Sequence, residues 1–391
     1  MIGFIKRISR RTPLGWLQLK HDKTRLLTAL AGIAFADILI FMQFGFKNAL
    51  YMTNTLFQRN LQTDIILIST QARDLTRLFT FPRRRLYQAM DVPGVKSAEA
   101  LYVNFIDWKN PQTSGKTAIL IFGQNPEQPV FSLPEVNQQL DEVKLPDTVL
   151  FDRASRGDYQ QAIALIEQGQ PVTTEIERRT INIAGLFQVG ASFSTDGTLI
   201  TSDQNFLRLF PKRRAETVSM GLIELQAEAN PEQVRAALNA YLPEDIQALT
   251  HQEYIDFELN YWQKRTPIGF VFGLGSTMGF VVGVVIVYQV LSTDVNAHLS
   301  EYATFKAMGY RNLYLLGVVF EEAIILAVLG FIPGVAVSLG LYRLARQATA
   351  LPLFMPMARV VWVLILTIVM CGISGAIAIR KLRAADPADI F

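Results

Sequence analysis

Hydrophobic residues in this chain collect in four long runs, each near the length of about 20 residues that a helix needs to cross a bilayer core. One run lies near the N-terminus, and the other three follow a long, more polar stretch. The pattern predicts a membrane protein with four transmembrane α-helices in a one-plus-three arrangement. The predicted helices, TM1 to TM4, are 26–46, 267–291, 313–341 and 360–379.

Charge near the ends of these runs predicts their orientation. Residues 1–25 carry seven Lys or Arg side chains, and cytoplasmic flanks are typically basic. The first apolar run is longer than that of a signal peptide and lacks a small-residue cleavage pattern after it, which favours an uncleaved anchor. We therefore expect both termini, the loop 292–312 and the tail 380–391 in the cytoplasm, with the short loop 342–359 outside a plasma (inner) membrane.

The stretch 47–266 has the mixed pattern of a folded α/β domain, and the predicted orientation makes it periplasmic. Short buried strands and amphipathic helices alternate in it without a regular period, which favours two subdomains. Its clearest predicted elements are strands at 64–69, 118–122 and 145–151, helices at 84–90, 159–168 and 231–241, and a hairpin turn at Asp196-Gly197.

Composition agrees with a membrane protein. Half of the residues are hydrophobic and 18% are charged, below the roughly 25% that is usual in soluble domains. The net charge of +3 is too small to indicate nucleic-acid binding. Cys371 is the single cysteine, so no intrachain disulfide forms, and the three histidines lack metal-ligand spacing.

One triplet superficially suggests a nucleotide site. Gly115-Lys116-Thr117 ends like a P-loop, but that motif needs a glycine where this chain has Asn110. The stretch also falls in the predicted periplasmic domain, where ATP is scarce. We therefore predict a surface turn, no ATPase in this chain and no cofactor bound to it directly.

Three acidic residues lie inside predicted spans, where an unpaired charge is costly. They are Asp37 in the first span and Glu321 and Glu322 in the third. One interpretation is a polar cavity, a proton path or a contact that shifts during a cycle. The alternative is that these residues lie near helix ends or form structural pairs inside the bundle. Neither interpretation makes them catalytic.

Glycines recur every fourth residue in the second span, at Gly275, Gly279 and Gly283. This spacing places small residues on one helix face and allows another helix to approach closely. The triplet predicts intimate helix packing, with a second copy of the chain as one candidate partner. The alternative is that glycine is simply common in membrane helices.

The loop after the second span predicts a short amphipathic helix that ends at Gly309. Its apolar positions recur every third residue, and its acidic and basic residues nearly balance. A helix lying on lipid would be basic, so we expect a protein partner. The residues predicted to couple to that partner are Glu301, Tyr302, Phe305, Lys306, Ala307, Met308 and Gly309.

The segment 301–309 resembles the E-I-x-x-L-R/K-A-I/L/M-G pattern that follows the second span in MacB/FtsX-type permeases. The order of spans and the basic tail at 380–388, with its Asp-Pro step, are also similar to that family. Stretches at 12–19, 81–85 and 150–157 resemble the cyanobacterial DevC-type branch. One departure is Leu299-Ser300, where the family often has basic residues.

The resemblance implies a homodimeric permease that pairs with a separate cytoplasmic ABC ATPase dimer, which binds ATP and Mg. It further implies a periplasmic membrane-fusion adaptor and a TolC-like outer-membrane channel. In that family the loop helix docks on the ATPase, and its motion reaches the external domain. DevC-type systems imply export of a lipid or glycolipid.

Two other classes of function remain candidates. An FtsX-like regulator of a periplasmic cell-wall hydrolase would share the four spans and the coupling loop, although the stretch 47–266 is larger than such a regulator should need. A membrane-bound enzyme is disfavoured, because that stretch shows no Ser/His/Asp set and contains one histidine, His251.

Overall fold

The computed structural model describes residues 23–298, 301, 304, 308 and 312–384. These residues form two compact units. The α/β unit takes Ala49–Ile268 and Arg346–Pro352, and the helical unit takes the other described residues.

Eleven α-helices are present in the described ranges, together with a π-helical turn at Tyr261–Arg265. In chain order they are α1 (Lys23–Asn54), α2 (Leu56–Arg59), α3 (Arg84–Met90), α4 (Pro134–Asn137), α5 (Gln160–Glu167), α6 (Asp203–Leu209), α7 (Pro231–Tyr241), α8 (His251–Asn260), α9 (Pro267–Ala297), α10 (Asn312–Thr349) and α11 (Met357–Ala384).

Four of these helices, α1, α9, α10 and α11, are long and apolar enough to cross a membrane. One precedes the α/β domain and three follow it, so the predicted fold class is confirmed. The helices continue beyond the predicted spans, with α1 reaching Asn54, α9 reaching Ala297 and α10 reaching Thr349. A span predicted from hydropathy ends where polar side chains begin. The helix itself continues past that point, because its backbone hydrogen bonds form with polar and apolar side chains alike.

Strands of the α/β unit form one nine-stranded sheet and a separate two-stranded pair, β2 with β9. The sheet order is β11-β1-β10-β3-β4-β8-β5-β7-β6. The strands are β1 (Ile65–Ser69), β2 (Phe81–Pro82), β3 (Val95–Lys109), β4 (Lys116–Gln124), β5 (Thr148–Asp152), β6 (Val172–Ile176), β7 (Arg179–Phe187), β8 (Gly197–Ser202), β9 (Thr217–Val218), β10 (Met220–Leu225) and β11 (Ile246–Thr250).

The long strand β3 joins the two halves of the sheet. Its first part, up to Leu101, pairs with β10, and its second part, from Tyr102, pairs with β4. The region that the sequence suggested as two subdomains therefore shares one continuous sheet. The predicted surface turn around Gly115 connects β3 to β4, so it is a hairpin loop.

Both faces of the sheet are covered by apolar cores. Along β1, Ile65 and Leu67 pack into one core, and Ile66 and Ile68 pack into the other. Successive strand residues point to opposite faces, so a strand buried on both sides reads as an uninterrupted apolar run. This is why the central strands were visible in the sequence.

Local signals predicted some elements well. The helix predicted at 231–241 is α7, and the Asn230 side chain caps it by accepting hydrogen bonds from two backbone N–H groups of its first turn. The helix predicted at 84–90 is α3.

The predicted hairpin turn at Asp196-Gly197 is wrong. Residues 188–196 are irregular, and β8 runs parallel to β4 and antiparallel to β5, neither of which precedes it directly in the chain. A turn dipeptide makes a hairpin only where strands flank it on both sides, and here the flank is missing. The Asp196 carboxylate instead accepts a hydrogen bond from the Arg156 guanidinium.

Candidate functional site

The predicted glycine stripe of α9 faces helices of the same chain. Gly275 lies against Gln43, and a β-carbon at Gly279 would lie 3.3 Å from Ile40, both on α1. Small residues at these positions therefore let α1 approach α9 closely, as small-residue motifs do in membrane helices.

Gly283, the third member of the stripe, is the tightest position. A β-carbon there would overlap the Met370 sulfur on α11 and would lie 2.8 Å from the β-carbon of Ala36 on α1. Gly283 is thus the point where three helices meet. The face is occupied by packing within one chain, and the involvement of these glycines in a dimer stays a prediction.

Asp37 is fully buried in the helical unit, where it faces protein. The Thr367 hydroxyl on α11 lies 2.6 Å from Asp37 Oδ1 and 2.8 Å from the Val363 carbonyl oxygen, and Gly334 on α10 gives the aspartate room. Asp37 Oδ2 has no hydrogen-bond partner within the described ranges. The carboxyl therefore makes a polar contact between α1 and α11 and packs against α10 at Gly334.

A second group of charged side chains lies where α1 begins and α9 ends; we call Arg25, Asp294 and Glu322 the carboxyl cluster. Arg25 Nη1 donates to Asp294 Oδ1 at 2.7 Å. Asp294 is 2% exposed and Glu322 is 0% exposed, whereas the neighbouring Glu321 is half-buried. The structure thus separates the two predicted glutamates: Glu322 faces the interior of the unit, and Glu321 lies at its surface.

Most of the predicted coupling segment lies outside the described residues. Tyr302, Phe305, Lys306, Ala307 and Gly309 belong to this part, and their role stays a prediction.

Two members of the predicted segment are described. Glu301 is exposed, and its Oε1 lies 3.2 Å from His298 Nδ1, just beyond the end of α9. Met308 is 61% exposed. Both therefore offer accessible side chains to a partner.

In the α/β unit, Arg156 connects three segments that are far apart in sequence; we call this contact the Arg156 clamp. Its guanidinium donates from Nη1 to Asp196 Oδ1 at 2.7 Å, from Nη2 to the Ser192 carbonyl at 3.1 Å and from Nε to the Thr349 carbonyl at 3.0 Å. Thr349 is the last residue of α10 and belongs to residues 346–352, which lead to α11. The rigid, forked guanidinium suits such a multipoint contact.

The loop held by Arg156 also reaches the end of α1. The Ser194 hydroxyl lies 3.2 Å from Asn54 Oδ1, and Ser192 and Thr195 close the loop with hydrogen bonds to one another. Residues 192–196 therefore contact both the last residue of α1 and, through Arg156, the connection between α10 and α11.

A buried carboxyl lies close to the start of α9. Glu258 on α8 accepts a hydrogen bond from the Trp262 indole N–H at 2.9 Å and one from the Leu75 backbone N–H at 3.0 Å. Burial raises the pKa of Glu258 to about 8, and the nearby Asp74 charge adds to this rise. The two hydrogen bonds act in the opposite direction, because they favour the carboxylate.

This pKa predicts how stability varies with pH. The folded state holds the Glu258 proton up to about pH 8, whereas the unfolded chain releases it near its ordinary value. The contribution of Glu258 is therefore fully present below that ordinary pKa and is lost as the pH rises toward 8, by at most about 1.4 kcal/mol per pH unit. The test is thermal unfolding of the full chain in detergent, for the wild type and for Glu258→Gln. The melting temperature of the variant should rise relative to that of the wild type between pH 5 and 8. Parallel melting curves would contradict this assignment.

Sequence reasoning missed the partners that complete these sites. Arg25 belongs to the basic flank 1–25, and Asp294 to the loop 292–312, although an acidic residue just past an apolar run is a usable signal. Arg156 belongs to the stretch 150–157, which carries only a family resemblance. Its contact to Thr349 joins residues 193 positions apart, which no local pattern predicts.

Comparison with known proteins identifies the C-terminal part of the chain. Residues 273–387 match the family model of the FtsX-like permease C-terminal domain, so this part of the chain carries a domain of that type. A comparison of the whole chain with curated proteins finds no significant match.

Two solved structures are similar to parts of the chain. The periplasmic region of MacB from Actinobacillus actinomycetemcomitans is 10% identical with a TM-score of 0.35, covering 49% of this chain and 91% of its own length. The extracellular domain of the noncanonic ABC-type transporter YknZ from Gram-positive bacteria is 13% identical with a TM-score of 0.30, covering 48% of this chain and 100% of its own length. Similarity this low carries no conclusion about function.

Proposed function

We propose that this chain is the permease subunit of an ABC-type export complex and transmits motion from a separate cytoplasmic ATPase to its α/β domain. The observation that carries the proposal is the FtsX-like permease domain at 273–387, set in a chain with one apolar helix before the α/β domain and three after it. The ATPase partner would bind ATP and Mg, and this chain would be non-catalytic.

The contacts within each unit support a mechanical role. In the helical unit, Gly283 and the carboxyl cluster join the membrane helices closely. In the α/β unit, the Arg156 clamp attaches the connection between α10 and α11 to the loop 192–196. A push delivered to the segment 301–309 would move α9 and α10, between which it lies in the chain, and α10 ends at the clamp.

The finer parts of the proposal come from the family resemblance of the sequence. They are a homodimer, a periplasmic membrane-fusion adaptor, a TolC-like outer-membrane channel and a lipid or glycolipid substrate. They include both termini in the cytoplasm and the α/β domain in the periplasm.

The alternative is an FtsX-like regulator of a cell-wall hydrolase. The match of residues 273–387 to the FtsX-like permease C-terminal domain fits this function as well. The two functions differ in their partners. An affinity-tagged full chain isolated from native membranes should copurify with an ATPase and a periplasmic adaptor, identified by mass spectrometry. An ATPase with a wall hydrolase and no adaptor would favour the regulator, and the absence of any ATPase would overturn both.

A further inference from the structure

The carboxyl cluster holds more negative charge than its described partners balance. Asp294 Oδ1 accepts from Arg25, but Asp294 Oδ2 and both oxygens of Glu322 lack a hydrogen-bond donor among the described residues. The two carboxyls lie within hydrogen-bonding reach of each other. Two carboxylates beside one guanidinium leave one uncompensated negative charge in a buried place, which is costly.

Among the side chains that the structure describes, the other charged or titratable groups near the cluster do not remove this charge. On α9, His298 Nε2 is 3.9 Å from Asp294 Oδ1, but His298 Nδ1 is paired with Glu301, a further negative charge. On α10, Glu321 adjoins Glu322 and has the same sign. On α11, residues 360–378 contain no charged residue, and Cys371 is their only ionisable side chain; Arg380, Lys381 and Arg383 follow on the last turns of the helix, beyond the described side chains.

We propose that Glu322 binds a proton and that the Asp294 carboxylate accepts the hydrogen bond that the protonated Glu322 donates. The proton comes from water and lies between an oxygen of Glu322 and an oxygen of Asp294. The pair then carries one negative charge, which Arg25 balances. Two adjacent buried carboxyls cannot both ionise without strong repulsion.

The bound proton would join three helices. Arg25 belongs to α1, Asp294 to α9 and Glu322 to α10, and the predicted coupling segment lies in the chain between the last two. Loss of the proton would leave two like charges facing each other across α9 and α10 and would push these helices apart. The proposal concerns this chain alone and does not require the ATPase.

Infrared spectroscopy of the full chain in vesicles of ether-linked neutral phospholipid, which has no ester carbonyl, tests the site directly. All samples carry Glu258→Gln, which removes the other protonated carboxyl expected at neutral pH. In this background the carbonyl band of a protonated carboxyl should be present at neutral pH and should disappear on adding Glu322→Gln or Asp294→Asn. Asp141→Asn, which changes an exposed carboxyl of the α/β unit, should leave that band in place. If Glu322→Gln fails to fold, Asp294→Asn carries the test alone.

Thermal unfolding of the same samples supplies the second measurement. The wild type should lose stability at alkaline pH relative to Glu322→Gln, which mimics the protonated form. Identical infrared spectra for wild type and both cluster variants would overturn the proposal, because both carboxyls would then be ionised. Stabilisation by sodium ions that requires both carboxyls, without the acid band, would also overturn it in favour of a metal cation.

Discussion

Replacing Arg156 by alanine should leave ATP hydrolysis intact and abolish the response of the α/β domain to it. The guanidinium makes the three hydrogen bonds that hold the loop 192–196 to the Thr349 carbonyl. Alanine removes all three, and lysine, with one ammonium group, cannot restore the forked geometry. Because coupling between sites typically amounts to about 1–3 kcal/mol, its loss removes an ATP-dependent shift of roughly fivefold or more in the conformational equilibrium.

Hydrogen exchange of the complex, compared with and without ATP, measures this response without knowledge of the substrate. The nucleotide-dependent change in exchange within 192–196 should be present in the wild type and lost in the variant. The complex should still contain its ATPase and hydrolyse ATP.

Arg153→Ala provides a matched control for this experiment. Arg153 and Arg156 are equally exposed, at 35%, but Arg153 is paired with Glu135 inside the α/β domain. Since both side chains are a third exposed, each substitution should cost about 1 kcal/mol of stability or less. An equal loss of response in both variants, or no loss in Arg156→Ala, would show that the clamp does not transmit motion.

Replacing Gly283 by leucine should strongly destabilise the packing of the helical unit. A side chain there overlaps Met370 and meets the β-carbon of Ala36, which cannot move without moving α1. Overpacking typically costs roughly 1–3 kcal/mol, and a clash against backbone-fixed atoms on one side should place this variant at the upper end. We expect a clearly lowered melting temperature or aggregation in detergent.

Gly273→Leu is the control, because a β-carbon at Gly273 meets nothing within 4 Å. It changes the same residue type on the same helix, so effects of helix propensity and hydrophobicity are matched. The control should melt like the wild type. If both variants melt alike, the close approach at Gly283 does not determine the packing of these helices.

The four membrane helices and the central strands were predictable because both are long apolar runs. The uninterrupted apolar run of β1 and the Asn230 cap of α7 are local signals that survive in the folded state. The turn dipeptide at Asp196 misled because its meaning depends on the strands around it. Its carboxylate is used in a contact with Arg156, 40 positions away.

The candidate site was only partly predictable for the same reason. Hydropathy identified Asp37 and Glu322 as unusual, since a charge within a span is rare. It could not identify Thr367 as the partner of Asp37, or Asp294 as the partner of Glu322, because those contacts join different helices. Such contacts depend on which helix faces pack together, and no short stretch of a single sequence shows which faces these are.

Transmission from an ATPase through residues 301–309 is tested most directly by substituting the predicted coupling residues. In full chains carrying Glu301→Ala, Phe305→Ala and Lys306→Ala together, the amount of ATPase that copurifies from native membranes can be measured by quantitative mass spectrometry. We predict that the ATPase found with the wild type is lost from this triple variant and retained by Arg156→Ala. An undiminished amount of ATPase with the triple variant would contradict the proposed role of the segment.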